Sequence, residues 1–137
     1  MDSRTRHALE LTARFAEARQ QVLAENVANI DTPDYHSRTL DAGVFRDALR
    51  AALDENDGSD LLSLRGGAQV RTDAAGRLQV DPTVESAPNV LFHDGTNARM
   101  ESLMSQAAEN GLLYNLTTSL LRSKFDSLTN AIRGRIA

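Results

Sequence analysis

Residues 3–30 have the hydrophobic pattern of one long amphipathic helix. They contain no Gly and no Pro, and the helix-favouring residues Ala, Leu, Glu, Gln and Arg dominate. Asp2 or Ser3 can cap the first turn, and Pro33 disfavours helical geometry at Thr32. The pattern predicts a helix over residues 3–31, about 42 Å long. Its apolar residues form two neighbouring rows, Leu9, Ala16, Leu23 and Ile30 in one and Leu11, Phe15, Ala18 and Val22 in the other.

The C-terminal region has a more regular pattern, which predicts a second helix over residues 97–133. Apolar positions recur at alternating steps of four and three, the spacing of a coiled-coil seam. Asp94 or Thr96 is the predicted N-cap, and Gly134 is the predicted stop. This four-three row consists of Met100, Met104, Ala107, Gly111, Tyr114, Thr118, Leu121, Phe125, Leu128 and Ile132, with Leu103, Leu113, Leu116 and Leu120 beside it.

Between the two helices the periodicity is short-ranged. Residues 44–53 suit a short amphipathic helix, and residues 54–60 form an acidic loop. Residues 68–72 and 77–81 alternate like strands around a tight turn that ends in Gly76, which favours a bulged hairpin. Residues 82–94 are expected to be extended chain and loop. The predicted fold is therefore mainly α: one unit over residues 1–137, with the terminal helices paired as a coiled-coil-like bundle and a small irregular or β-hairpin middle over residues 32–96.

Composition narrows the function classes. The 137 residues are 41% hydrophobic and 4% aromatic, so small aliphatic side chains must provide most of the burial. The absence of Cys excludes disulfides, thiolate metal sites and a Cys nucleophile. A net charge of −4 argues against a nucleic-acid partner. No stretch approaches the ~20 apolar residues of a membrane span, and charges throughout the first helix argue against a signal peptide.

Residue chemistry gives little support for catalysis. His7, His36 and His93 are far apart in sequence, and His7 is expected on a charged helix surface. Asp31, Asp34 and His36 are close enough for a metal site to be conceivable, but Asp residues around Pro33 more often cap and turn the backbone. No nucleophile elbow, phosphate-binding loop or spaced His pair occurs. We therefore expect no enzyme activity, no cofactor, no metal and no small-molecule substrate.

The helices carry more apolar surface than two of them can cover between them. Asn amides within the first stripe can also bond to another backbone and fix its register. One interpretation is a subunit completed by its neighbours; the alternative is a cytosolic dimeric helical adaptor or export chaperone that buries the same rows in a four-helix bundle. The predicted assembly interface comprises Leu11, Phe15, Val22, Asn26, Asn29, Tyr114, Leu121, Phe125, Leu128 and Ile132.

Two separated motifs carry a family resemblance. Residues 23–35, LAENVANIDTPDY, closely resemble the N-terminal signature of the bacterial flagellar rod and hook proteins, with Asp31, Thr32, Pro33 and Tyr35 in the motif turn. Residues 94–97, 109–115, 121–125 and 131–132 resemble the C-terminal end of the short basal-body rod members. The chain departs from the family where Asp34 replaces the usual Gly and Gly111 the usual Ala, and residues 41–45 are longer than the usual Asp-Phe pair.

The resemblance implies a structural subunit of the flagellar rod, exported through the flagellar type III apparatus without a cleaved signal peptide. It further implies helical polymerisation with other rod subunits in the periplasm-spanning basal body and contacts with membrane-ring and rod adaptor proteins. The terminal helices would line a tube, with the middle region facing outward. Phe45 and Leu49 match a family pattern implicated in docking at the export gate, although a local packing pair explains them equally well.

Overall fold

A computed structural model describes residues 2–85 and 93–136. The largest elements of the fold are two long helices, one at each end of the chain. This confirms the mainly α class with long terminal helices. In chain order the elements are α1 (Ser3–Ala28), β1 (Arg38–Thr39), α2 (Ala42–Asp54), β2 (Arg65–Gly66), β3 (Val70–Thr72), β4 (Leu78–Val80), β5 (Thr83–Val84) and α3 (His93–Ile136).

Helix α1 begins as its sequence predicts and ends a little earlier. The Asp2 carboxylate accepts a hydrogen bond from the Arg4 amide at 3.1 Å, so Asp2 is the N-cap. The last helical residue is Ala28 rather than residue 31. Asn29 explains the early end, because its side-chain amide donates to the Glu25 carbonyl and its own carbonyl accepts from Thr32, which replaces helical bonds with a turn.

Helix α3 is longer than predicted at both ends. It covers 44 residues, which corresponds to about 66 Å of helix. Asp94 and Thr96 lie inside it, so both predicted N-caps are wrong, and residues 93 and 94 are helical rather than extended. The predicted stop at Gly134 is also wrong: an exposed helical Gly costs only about 1 kcal/mol relative to Ala, too little to end the helix there. The predicted extended segment at residues 86–92 lies outside the described residues.

The two long helices pack antiparallel. The Asn110 side-chain amide donates to the Ala16 carbonyl at 2.7 Å, and Arg19 donates to Gln106 at 3.2 Å. The most buried positions of α3 are Leu103, Asn110 and Thr117, at seven-residue spacing. The helices pair with the predicted seven-residue repeat. The buried residues Leu103, Asn110 and Thr117, however, each precede by one position a residue of the predicted four-three row, namely Met104, Gly111 and Thr118.

The hydrophobic core lies between α1 and the middle of the chain. The rings of Phe15 and Phe45 stack with centroids 4.2 Å apart. Helix α2 begins at the Asp41 cap and includes the predicted residues 44–53. The middle region therefore covers one face of α1 instead of standing apart from it. The other large core residues are Leu11, Leu40, Leu62, Leu64 and Val70.

The predicted hairpin is present and belongs to a slightly larger antiparallel sheet. Strands β3 and β4 flank the turn at residues 73–76, with Gly76 at a φ of 76° as the bulged turn requires. The pKa of Asp73 is lowered because its carboxylate accepts the backbone N–H of Arg77 and lies beside the Arg77 guanidinium. Strand β2 extends this sheet beyond β3, and β1 pairs with β5 in a separate ribbon; neither was predicted.

Candidate functional site

Asn26 organises the motif turn that follows α1. Its side-chain oxygen accepts from the Arg38 backbone N–H at 3.1 Å and from the Tyr35 hydroxyl at 3.2 Å. Its amide nitrogen donates to the Arg38 carbonyl at 2.6 Å. One buried side chain therefore pairs with β1 as a neighbouring strand would. Asn26, placed in the assembly interface by the sequence analysis, is buried here and uses both polar atoms of its side chain within the same chain.

The turn itself is exposed and contains one residue with an unusual backbone. Asp34 adopts a φ of 61°, the left-handed region that favours Gly. Asp tolerates this geometry better than most residues, which explains why the turn forms without the usual Gly. The neighbouring Asp31, Thr32 and Pro33 are exposed, whereas Tyr35 is half-buried against Asn26. Within residues 2–85 and 93–136, no group of three or more His, Asp or Glu side chains could hold a metal ion.

His7 is buried, so the prediction of a surface position is wrong. Its Nδ1 accepts the Leu62 backbone N–H at 2.8 Å, and its Nε2 lies 2.8 Å from the Gly76 carbonyl. The neutral ring with the proton on Nε2 satisfies both neighbours. A Cβ at Gly76 would stand 3.2 Å from the ring, so the hairpin turn packs closely on α1. Both partners lie more than 50 residues away in sequence, which no local pattern could indicate.

The His7→Leu variant tests the two buried hydrogen bonds of the His7 ring. The substitution leaves the Leu62 N–H and the Gly76 carbonyl without their partner, and each buried polar group left unsatisfied costs about 1–3 kcal/mol. We expect a fall of at least about 2 kcal/mol in the free energy of unfolding, measured by urea denaturation. The exposed His36→Leu variant is the control and should stay within about 0.5 kcal/mol of the wild type. Equal stability of the two variants would contradict the assignment.

Arg4 fastens the acidic loop to the first turn of α1. Its guanidinium donates to the carbonyls of Ala52 at 2.9 Å and Ser59 at 3.0 Å, and so caps the end of α2. It also forms an ion pair with Asp57 at 3.3 Å. The pKa of Asp57 is lowered, first by the Ser59 N–H that it accepts and then by Arg4. The acidic loop at residues 54–60 thus lies at the N-terminal end of α1.

Several residues of the predicted interface are covered by the chain itself. Leu11, Phe15 and Val22 are buried, the first two against the middle region, where Phe45 stacks on Phe15. The predicted architecture, with the middle region facing outward, leaves this row of α1 for a neighbouring subunit; in the structure the middle region covers it. Leu49 is half-buried against the same core. A partner could reach this row only if the middle region moved away, whereas α3 carries large apolar surfaces that are already exposed.

Helix α3 carries a continuous apolar surface on a side that faces away from α1. This surface, the leucine face, consists of Leu112, Leu113, Leu116 and Leu120. Leu112 is 70% exposed and Leu116 is 60% exposed, and Leu113 and Leu120 lie on the same side. Residues 110–121 contain no charged side chain at all. The side of this segment that contacts α1 carries the polar residues Asn110 and Thr117. The helix therefore exposes its most apolar side, the reverse of the arrangement in a finished globule.

The second exposed surface is the C-terminal overhang, defined as residues 122–135, all of which are exposed. Phe125, Leu128 and Ile132 are 47%, 54% and 52% exposed. They follow the half-buried Leu121 at helical spacing, so they continue the side of α3 that faces α1. Tyr114, also on the predicted row, is 40% exposed. The two α3 surfaces lie on different sides of the helix.

The fold and its surfaces define a class of protein: two long antiparallel helices with a small middle region packed on α1 and large apolar faces exposed on α3. No helix within the described parts of the chain is long and apolar enough to cross a membrane. The Asn29 side chain, predicted in the interface, is used locally, accepting from the Thr32 hydroxyl at 3.3 Å. What these surfaces can do chemically is bury apolar area against a partner.

Comparison with known proteins identifies the family. No protein-family model matches the chain. The flagellar basal body rod protein FlgB of Escherichia coli is 30% identical over 119 residues, which cover 84% of this chain and 83% of the relative. FlgB of Cereibacter sphaeroides is 30% identical over 130 residues, covering 93% and 91%. FlgB of Salmonella typhimurium is 29% identical over 116 residues, covering 85% and 83%. The chain belongs to the FlgB family of flagellar basal body rod proteins.

Proposed function

We propose that this protein is a structural subunit of the flagellar basal-body rod and polymerises with other rod subunits into the helical drive shaft. The observation that carries the proposal is the leucine face in a chain of the FlgB family. A large contiguous apolar face that is left exposed in a free chain marks a contact with another molecule. Helix α1 covers only the polar side of residues 110–121, so neighbouring subunits must supply the remaining cover.

The alternative of a dimeric adaptor or export chaperone explains the apolar surface less well. An adaptor completes its bundle with one partner, whereas α3 exposes two separate surfaces on different sides of the same helix. A subunit in a helical polymer contacts several neighbours, and two separate surfaces suit that requirement. The three relatives compared above are all named as rod proteins.

The finer parts of the proposal concern position and partners. We place the subunit in the periplasm-spanning proximal rod, where it also contacts membrane-ring and rod adaptor proteins. It would reach that position through the flagellar export gate without a cleaved signal peptide. The middle region would face outward from the tube, because α3 is the element that carries the open surfaces. Neither nucleic acid, a small-molecule substrate nor catalysis has a part in this function.

Genetic complementation with localisation tests the function as a whole. Deleting the gene should abolish motility and leave basal bodies without a complete rod, and the wild-type gene should restore both. Basal bodies isolated from the complemented strain should contain this protein. A motile deletion strain with intact rods would contradict the proposal. Recovery of the protein only from the cytoplasm, in complex with another flagellar protein, would favour the adaptor.

Export recognition through Phe45 makes a separate prediction. Phe45 stacks on Phe15 inside the core, so the gate can read it only in an unfolded chain. We expect Phe45→Ala to lower secretion while the cytoplasmic level is unchanged, measured by immunoblot of culture medium and cells. Phe15→Ala is the matched control, because it damages the same aromatic stack without touching the Phe45–Leu49 pattern. Equal secretion of both variants would remove the export role from Phe45.

A further inference from the structure

The side of α3 that faces α1 continues beyond the end of α1. Ala16 contacts Asn110 in an antiparallel pair, so Ser3 lies at the level of about residue 123 of α3. From there the C-terminal overhang projects for about 20 Å, and every one of its residues is exposed. The overhang therefore carries one side of a helix–helix interface at a level that α1 does not reach.

The apolar residues on this side form a narrow row with coiled-coil spacing. Phe125, Leu128 and Ile132, each about half exposed, follow Leu121 at steps of four, three and four. At about 100° per residue, these four side chains lie within about 60° of one another around the helix. A helix packed on a globular core carries a stripe at least about 100° wide, and a helix that lies on a membrane buries a whole apolar face. A row this narrow is the seam of a coiled coil, so a single helix fits it.

Basic side chains stand on both flanks of the row. Arg122 and Arg133 lie on one flank and Lys124 and Arg135 on the other, each about 50–110° from the centre of the row. Asp126 is the one acidic residue of the overhang, and no ion pair holds any of these five side chains within the described parts of the chain. Charges that flank a coiled-coil seam pair with the partner helix and decide which helix it is. Both flanks of this seam are complementary to negative charge.

A second copy of the overhang does not meet that requirement. Arg122 and Lys124 lie at the root of the overhang, and Arg133 and Arg135 lie at its tip. Two overhangs side by side would therefore oppose like charges whether they ran parallel or antiparallel. Like charges placed against each other across an interface disfavour the contact. The charge pattern favours a helix of different sequence.

We infer that the C-terminal overhang binds an acidic helix of another protein. That helix spans about two heptads, has its own apolar row at four-three spacing and carries Asp or Glu on both flanks of the row. It lies against the overhang as α1 lies against the earlier part of α3. In the rod it would belong to a different rod component, and this consequence rests on the proposed function. The contact itself depends only on the geometry and charge of this chain.

Fluorescence anisotropy with two labelled synthetic peptides tests the charge selection. Both peptides are three heptads long with Leu at a and d; one has Glu at every e and g position, and the other has Lys. The full chain should bind the Glu peptide at least about tenfold more tightly at low salt, and the preference should shrink as salt is raised. Changing Arg122 and Lys124 together to Glu should remove the preference. Arg46→Glu with Arg50→Glu makes the same charge change at exposed positions of α2 and should keep it.

A second pair of variants tests the apolar row. Leu128→Asp should abolish binding of the Glu peptide, whereas Ser127→Asp adds the same charge at an exposed position away from the row and should retain it. Equal binding of the two peptides would overturn the proposal, as would loss of binding in Leu116→Asp on the leucine face. Binding to phosphatidylserine vesicles without binding to the Glu peptide would assign the overhang to a lipid surface instead. Self-association that Leu128→Asp abolishes would assign it to a second copy.

These measurements use the purified chain and do not require a rod. If the Glu peptide fails to bind while cells still need the protein for a complete rod, the acidic helix is overturned and the proposed function stands. If the peptide binds as expected while a deletion strain builds intact rods, the proposed function is overturned and the acidic helix stands.

Discussion

Cells that carry Leu116→Asp in place of the wild-type chain should be non-motile and should lack a complete rod. Leu116 is the centre of the leucine face, and a carboxylate buried there without a partner costs far more than the loss of the apolar side chain. In the free subunit the same side chain is exposed, so the free energy of unfolding should change by no more than about 0.5 kcal/mol. Motility on soft agar and electron microscopy of basal bodies measure the first effect, and urea denaturation measures the second.

Phe125→Asp should give the same result from the other surface of α3, because Phe125 is also about half exposed in the free chain. The matched controls are Ser119→Asp and Asn130→Asp, which add the same charge at exposed polar positions of the same helix. Both controls should swim. If Leu116→Asp or Phe125→Asp instead aggregates or is degraded in the cytoplasm, that surface is part of an internal core. Normal rods in either variant would show that it is no interface.

Local patterns in the sequence predicted those elements whose cause is local. The spacing of apolar residues was enough for α1, α2 and α3, and the turn at residues 73–76 was enough for the hairpin. The Asp2 cap and the tolerance of Asp34 for a positive φ also follow from a few neighbouring residues. Periodicity shows which side chains share one side of a helix. It does not show which side the chain itself will cover.

That limit explains the errors on α3 and α1. The four-three row was the longest apolar line on α3, yet the line that meets α1 is centred on Asn110, whose amide bonds to the Ala16 carbonyl. On α1, the row with Leu11 and Phe15 is covered by α2 and the strands of the middle region, whose own patterns predict the elements but not the surface on which they pack. Contacts of long sequence separation decided both outcomes, as they decided the burial of His7.

In the free subunit, backbone amides of α1 should exchange with solvent much more slowly than those at the C-terminal end of α3. Helix stability in proteins comes mainly from packing, and the two helices differ in how they are packed. Helix α1 is held by Arg4 at its first turn, by the Phe15 stack in its middle and by Asn26 near its end. Amides in α1 should exchange only through global unfolding, which typically requires about 5–15 kcal/mol.

Amides of residues 124–135 should exchange nearly as fast as in an unstructured peptide when the protein is dilute enough to be monomeric. They lie beyond the end of α1, and an isolated helix shorter than about 12–15 residues is marginal in water. The exchange of α1 should be slow and independent of concentration. Mass spectrometry of peptides from both helices over a dilution series measures the difference. Protection of residues 124–135 in a proven monomer would mean that another part of the same chain covers them. That result would contradict the assignment of the C-terminal overhang as an exposed surface.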